Sequence, residues 1–180
     1  MIGISRLKIR QAAPSDTAAI AHILTAAAAW LDETGKWNDW PIPRPLADVV
    51  HMIARGTTYV VMSCRELKPI ATVTLQWSDE RYWGQREPDA GYIHRLAVLP
   101  EKMGLSVGDQ ILHWVTERVR ATNRSFVRLD CPAANWHLRN YYEKHGFNYV
   151  ASYSSDSGYD AALYELAIPK AHLYTTSTAP

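Results

Sequence analysis

A chain of 180 residues, 47% hydrophobic and 21% charged, has the length of one domain and the balance of a globular protein rather than a disordered one. The 19 basic and 18 acidic side chains leave a net charge of +1, without the basic excess of a dedicated nucleic-acid binder. The two cysteines, Cys64 and Cys131, fall in apolar runs with no Cys/His spacing of a metal site, so free thiols and no metal are expected. The N-terminal residues lack a secretory apolar core, and the apolar stretch near Ala26 to Leu31 is too short to cross a bilayer. A cytoplasmic protein, monomer or homodimer, without a membrane partner is the expectation.

Ile4 to Ile9 alternates apolar and polar residues and predicts a strand. Pro14-Ser15-Asp16 starts a helix that runs to Leu31, with Ile20, Ile23, Leu24 and Ala27 on one face. A loop from Asp32 to Pro45 precedes a short amphipathic helix, Leu46 to about Ala54. Thr57 to Cys64 and Ile70 to Trp77 read as a hairpin, and a polar loop, Ser78 to Asp89, leads to a strand over Tyr92 to Val98. After a turn, Pro100 to Gly108, comes a helix with Val107, Ile111, Val115 and Val119 as its stripe. Phe126 to Cys131 is a strand and Asn135 to His145 a helix, with Gly146 where a left-handed C-cap belongs. Strands over Phe147 to Tyr153 and Ala161 to Leu166 complete a mixed α+β (α/β) pattern. The domain is expected to span residues 1–168, with 169–180 as a tail. Seven Trp and ten Tyr against two Phe suit a partly wet, aromatic-walled cavity, although ordinary core packing uses the same residues.

The segment Tyr92-Ile93-His94-Arg95-Leu96-Ala97-Val98-Leu99-Pro100, continuing to Gly104-Leu105-Ser106-Val107-Gly108-Asp109, sets strand, glycine turn and helix N-terminus in succession. Free N–H groups and the positive end of the helix dipole then converge on one spot, as an anion site requires. A plain connection has the same outline. Further on stand Arg128-Leu129-Asp130-Cys131, Asn135 and Tyr141-Tyr142-Glu143-Lys144-His145-Gly146-Phe147.

With these motifs the chain resembles the GNAT acetyltransferases over nearly its whole length, Ile4 to Ile168. The resemblance implies a mixed sheet of six to seven strands, a splayed fourth and fifth strand, and about four flanking helices. It implies acetyl-CoA, or another acyl-CoA, as co-substrate. The stretch Leu96, Ala97 and Val98 would lie along the pantetheine arm, while the backbone of Gly104, Leu105, Ser106, Val107, Gly108 and Asp109 would cradle the diphosphate. Asn135 would meet the cofactor's amides, and Tyr142 would protonate the departing thiolate. Two positions depart from the family pattern: Met103 where Gln or Arg is usual, and Ser106 where Gly is usual. Ser106 suits the loop only with a negative φ.

Tyr142 could equally line an apolar helix face with Leu138 and His145. His94 is a candidate base, since an imidazole near pKa ~6.5 accepts an ammonium proton directly or through water; a structural histidine is the alternative, with Glu80, Glu87 and Asp89 as other bases. Tyr92 and His94 share a strand face with Leu96 by the period of two. Trp37, Asp39 and Trp40 fall where the family builds its acceptor wall and could box in an amine. Acidic residues in the two acceptor loops, Asp32, Glu33 and Asp39 with Asp79, Glu80, Glu87 and Asp89, favour a cationic small-molecule amine, unless they are simply solvated. Asp130, His94 and a serine would make a hydrolase triad on paper, but no G-x-S-x-G elbow is present. A basic group, Arg118, Arg120, Arg124, Arg128, Arg139 and Lys144, leaves aminoacyl-tRNA as an alternative donor. An acyl-CoA-binding module without catalysis is a third reading, opposed by the retention of Asn135 and Tyr142.

Overall fold

The computed structural model describes residues 7–36, 40–63, 68–156 and 158–169. Seven strands are present among them: β1 (Leu7–Gln11), β2 (Thr58–Ser63), β3 (Pro69–Gln76), β4 (Ala90–Val98), β5 (Phe126–Pro132), β6 (Asn148–Ser154) and β7 (Asp160–Ala167). They form one sheet in the order β1-β2-β3-β4-β5-β7-β6. Every neighbouring pair is antiparallel except β4 and β5, which run parallel. A parallel pair needs a crossover, and α4 (Val107–Arg120) supplies it. The other helices are α1 (Thr17–Glu33), α2 (Leu46–Ala54), the single turn α3 (Glu80–Trp83) and α5 (Trp136–Lys144).

The helices form where the apolar spacing demands. α1 buries Ile20, Ile23, Leu24, Ala27 and Ala28, the repeat of three and four that puts one stripe on the sheet. Asp16 begins it by accepting the Ala13 N–H at 2.7 Å and the Arg10 guanidinium at 2.7 and 2.8 Å. α4 buries Val107, Ile111, Val115 and Val119, each worth about 1.5–3 kcal/mol of transfer free energy. These residues share one core with the inward faces of β2 to β5 and with Tyr142, Phe147 and Tyr164.

Six to seven strands were expected and seven are described, with the β4–β5 pair parting as expected. Differences are local. β1 occupies Leu7–Gln11, two residues past the expected end at Ile9, its register pairing Leu7 with Ser63 and Gln11 with Tyr59; Ile4 to Arg6 lie outside the described residues. The polar loop before β4 contains α3, a fifth helix too short to leave a periodic signal. Asn135 is the N-cap of α5, its side chain accepting from the Leu138 N–H at 3.1 Å. Cys131 is buried and unpaired; Cys64 and the tail beyond 169 lie outside the described residues.

Candidate active site

The site begins where β4 leaves β5. Their pairing runs from Ala90 opposite Phe126 to Ile93 opposite Leu129 and stops there, although both strands continue. On its other edge β4 is bulged: Thr72 pairs with Ala97 and Thr74 with His94, so Arg95 and Leu96 together oppose Val73. Arg95 takes φ 48° at the bulge. A bulge shifts the alternation of side chains by one, so Leu96 packs against the main core while Tyr92 belongs to a separate cluster with Trp83, Ala90 and Leu163. The single strand face expected for Tyr92, His94 and Leu96 is therefore broken at Arg95.

His94 and Asp130 occupy the first positions past the last paired residues. His94 Nδ1 lies 3.6 Å from Asp130 Oδ1, and its Nε2 lies 3.4 Å from Asp79 Oδ2 on the far side of the ring. Asp130 also accepts from the Tyr159 phenol at 3.3 Å. Tyr82 packs at 6.5 Å from the imidazole, at 5.0 Å from Tyr153 and at 6.1 Å from Tyr159, an aromatic wall of the kind the composition suggested. Burial, with the Arg95 cation beside it, pushes the His94 pKa down to about 4, and burial pushes the Asp79 carboxyl up. The two carboxylates act in the opposite sense on the ring, but burial prevails and the imidazole is neutral at pH 7. Neither Nε2 of His94 nor Oδ2 of Asp79 makes a hydrogen bond among the described residues.

Asp79 and Asp130 were the missed members of this group. Asp79 stood in the sequence as one of several loop acids, and Asp130 as part of a discounted serine arrangement. No local spacing links either to His94; only the strand register does. Of the alternative bases, Asp89 is committed to Arg128 at 2.8 Å.

The turn after β4 leads through a 3-10 segment, Pro100–Lys102, into α4. Gly104 has φ 74°, and a Cβ added there would meet no atom within 4 Å. Ser106 is the N-cap of α4 with φ 57° and ψ 26°, in the left-handed region, and its side chain makes no capping bond. This corrects the expectation of a negative φ: the chain keeps the glycine-type backbone of the loop and places a serine on it. The first N–H groups of α4 thus have no side-chain cap, and open space adjoins Gly104, as a diphosphate cradle requires.

Gly108 has a different neighbour. A Cβ there would stand 2.5 Å from the Tyr141 hydroxyl, so glycine admits α5 beside α4. Asp109 is turned to α5 as well, accepting from Tyr141 at 3.0 Å and lying 3.1 Å from His145 Nε2.

Tyr142 is 6% exposed and belongs to the main core. Its ring meets Phe147 at 5.7 Å and Tyr141 at 5.5 Å. Burial, with Cys131, Tyr141 and Asp130 nearby, holds its phenol protonated well above the usual tyrosine range. Asp130 faces His94 and also acts on the charge of Tyr142. Asn135 is 4% exposed and its Oδ1 is engaged by the helix it caps, a role the sequence reading did not assign.

Of the expected acceptor residues, Trp37 and Asp39 lie outside the described residues. Trp40 packs partly buried against the main core. Tyr92 is 2% exposed, accepts from Arg128 Nη1 at 3.0 Å and packs on Trp83, so it is structural. Four of the basic group have partners within the fold. Arg128 is buried against Glu165 and Asp89, Arg139 reaches the Tyr164 phenol at 3.1 Å, Arg124 the Pro88 carbonyl at 2.9 Å, and Arg120 pairs with Glu117. A cavity of about 250 Å³ lies instead between α2 and the bulge of β4.

Residues 8–147 match the model of the acetyltransferase (GNAT) family, and the chain belongs to that family, as an acyltransferase. The uncharacterized N-acetyltransferase YesJ of Bacillus subtilis is 26% identical over 157 residues, which cover 84% of this chain and 83% of that protein. A GNAT-family acetyltransferase from Listeria monocytogenes superposes with a TM-score of 0.73 at 22% identity, covering 90% of this chain and 95% of that one. An aminoglycoside acetyltransferase in complex with coenzyme A and kanamycin superposes with a TM-score of 0.70 at 18% identity, over 90% and 95% of the two chains. No helix among the described residues is long and apolar enough to cross a membrane.

Proposed function

We propose that this protein transfers an acetyl group from acetyl-CoA to a primary amine by direct attack in a ternary complex. The observation that carries the reading is the parting of β4 from β5 beyond Ile93 and Leu129, with His94 and Asp130 at the first positions past the pairing, together with the uncapped N-terminus of α4 that follows β4. The residues present fit the co-substrate: Gly104 and the uncapped N–H groups from Val107 onward suit its diphosphate, and the edge of β4 released by β5, Leu96 to Val98, suits its pantetheine arm. When bound, acetyl-CoA supplies a thioester that needs no further activation.

The chain's own groups then divide the proton work. His94 takes the proton of the acceptor ammonium on one of its ring nitrogens, and Asp79 and Asp130 stabilise the imidazolium that results. Tyr142 holds a proton on its phenol that can pass to the departing thiolate, and Asn135 fixes the helix that carries it. The engagement of Arg120, Arg124, Arg128 and Arg139 within the fold favours acetyl-CoA over an aminoacyl-tRNA donor, the alternative that the basic group and the Met103 and Ser106 departures raise.

The test is a screen of CoA release against a panel of amines, with cofactor affinity measured by calorimetry. Binding of CoA and release with at least one primary amine is the expected result. A protein that binds no CoA but retains charged tRNA would replace this reading with the other donor.

A further inference from the structure

The cavity between α2 and the β4 bulge is basic. Arg44, Arg55 and Arg95 line it together with His51, and its single carboxylate, Asp48, is already 3.5 Å from Arg44 Nη2. Arg95 forms no ion pair among the described residues. Its like-charged neighbours Arg44 and Arg55 and its own burial all act against its charge. Arg44 Nε and Thr57 Oγ1, both buried, have no hydrogen-bond partner among the described residues. Buried donors without partners are costly, and three guanidiniums, those of Arg44 and Arg95 partly buried and that of Arg55 exposed, line the same space.

We propose that this cavity binds an anionic group of the acceptor, a carboxylate or a phosphate, so that the substrate is an amine bearing a negative charge. The proposal rests on the acyl-transfer reading and narrows it. An anion would satisfy the Arg44 Nε and Thr57 Oγ1 donors and relieve the repulsion among the three guanidiniums. Arg95 is the pivot, because it adjoins His94 in sequence, stands on the left-handed bulge residue and also feels the charge of Asp130. An anion seated on it lies one residue along β4 from the base. The acidic loop residues that suggested a cationic acceptor do not oppose this: Asp79 is turned to His94 and Asp89 to Arg128.

The experiment compares matched acceptors: an amino acid against its amide, and O-phosphoethanolamine against ethanolamine. The anionic member of at least one pair is expected to have a kcat/KM at least about tenfold higher, a difference expected of charge-assisted hydrogen bonds. The pair showing the effect tells carboxylate from phosphate. In Arg95→Gln the ratio should collapse toward one through a rise in KM, and in Arg44→Gln it should fall in the same direction. A second measurement does not need turnover. Inorganic phosphate or acetate, at constant ionic strength and saturating CoA, should raise the Tm of the wild type and not that of Arg95→Gln. Failure of transfer with the anion effect intact would overturn the proposed function alone. Preference for neutral or polycationic amines, or a Tm rise that is absent or survives Arg95→Gln, would overturn the anionic acceptor.

Discussion

The Tyr141 phenol donates to Asp109 Oδ1 at 3.0 Å, joining α5 to the first turn of α4. The same hydroxyl stands 2.5 Å from the position of a Cβ on Gly108. Two adjacent tyrosines therefore divide their work: Tyr141 clasps helix to helix, while Tyr142 packs in the main core against Phe147. Gly108→Ala should destabilise the protein by about 1–3 kcal/mol, the range of overpacking. Tyr141→Phe removes the offending oxygen and should restore part of that loss in the double variant. Chemical denaturation of the four proteins measures the coupling, and strict additivity would place the clash elsewhere.

Ser106 holds a backbone that strains a side-chain-bearing residue. Ser106→Gly should raise stability by up to about 1 kcal/mol, because the relief of the left-handed conformation exceeds the added chain entropy of glycine. An unchanged or lowered midpoint would mean that the serine hydroxyl has a stabilising contact of its own.

Burial lowers the His94 pKa to about 4, so the unfolded chain takes up a proton near pH ~6.5 that the folded protein refuses. The contribution is complete above the ordinary histidine value and is lost as pH falls from there toward 4. Tm against pH should therefore drop more steeply over this window in the wild type than in His94→Asn. Asp79 and Asp130 face the ring in the wild type, and both carboxyls are retained in the variant, so the difference curve reports chiefly the imidazole. Parallel curves would place His94 in contact with water.

Asp79, His94 and Asp130 each offer a ligand atom within 4.8 Å of the others, which a divalent ion could use. In the proposed reaction these atoms handle a proton instead. Dialysis against a chelator should leave kcat unchanged, and added Zn²⁺ should inhibit by competing with the proton for His94. Activity that disappears on chelation and returns with metal would make the cluster a metal centre.

Much of this was legible in the sequence, for identifiable reasons. The stripe of α4 and the Asn135 to Phe147 motif are local patterns, and each marks its element directly. The turn proposed to hold the diphosphate was legible as a strand, a glycine and a helix start. The sign of φ at Ser106 was not, since a serine gives no indication that the backbone has kept a glycine's conformation. The Arg95 bulge was invisible because the period-two reading of β4 continues smoothly through it, and with it went the basic cavity. Asp79 and Asp130 reach His94 from 15 and 36 residues away in sequence, joined only by strand pairing and by the turn of α3.

The most direct test of the account is Tyr142→Phe, measured as steady-state turnover alongside calorimetric affinity for CoA. The substitution keeps the ring that packs on Phe147 and removes only the proton that the phenol holds. General acid catalysis is worth roughly 10²–10⁴-fold, so kcat should fall by about that factor while the Kd for CoA stays within about twofold. A variant with near wild-type kcat would contradict the assignment of Tyr142 as the acid, and the same assay on Tyr141→Phe would show whether the neighbouring phenol holds that role.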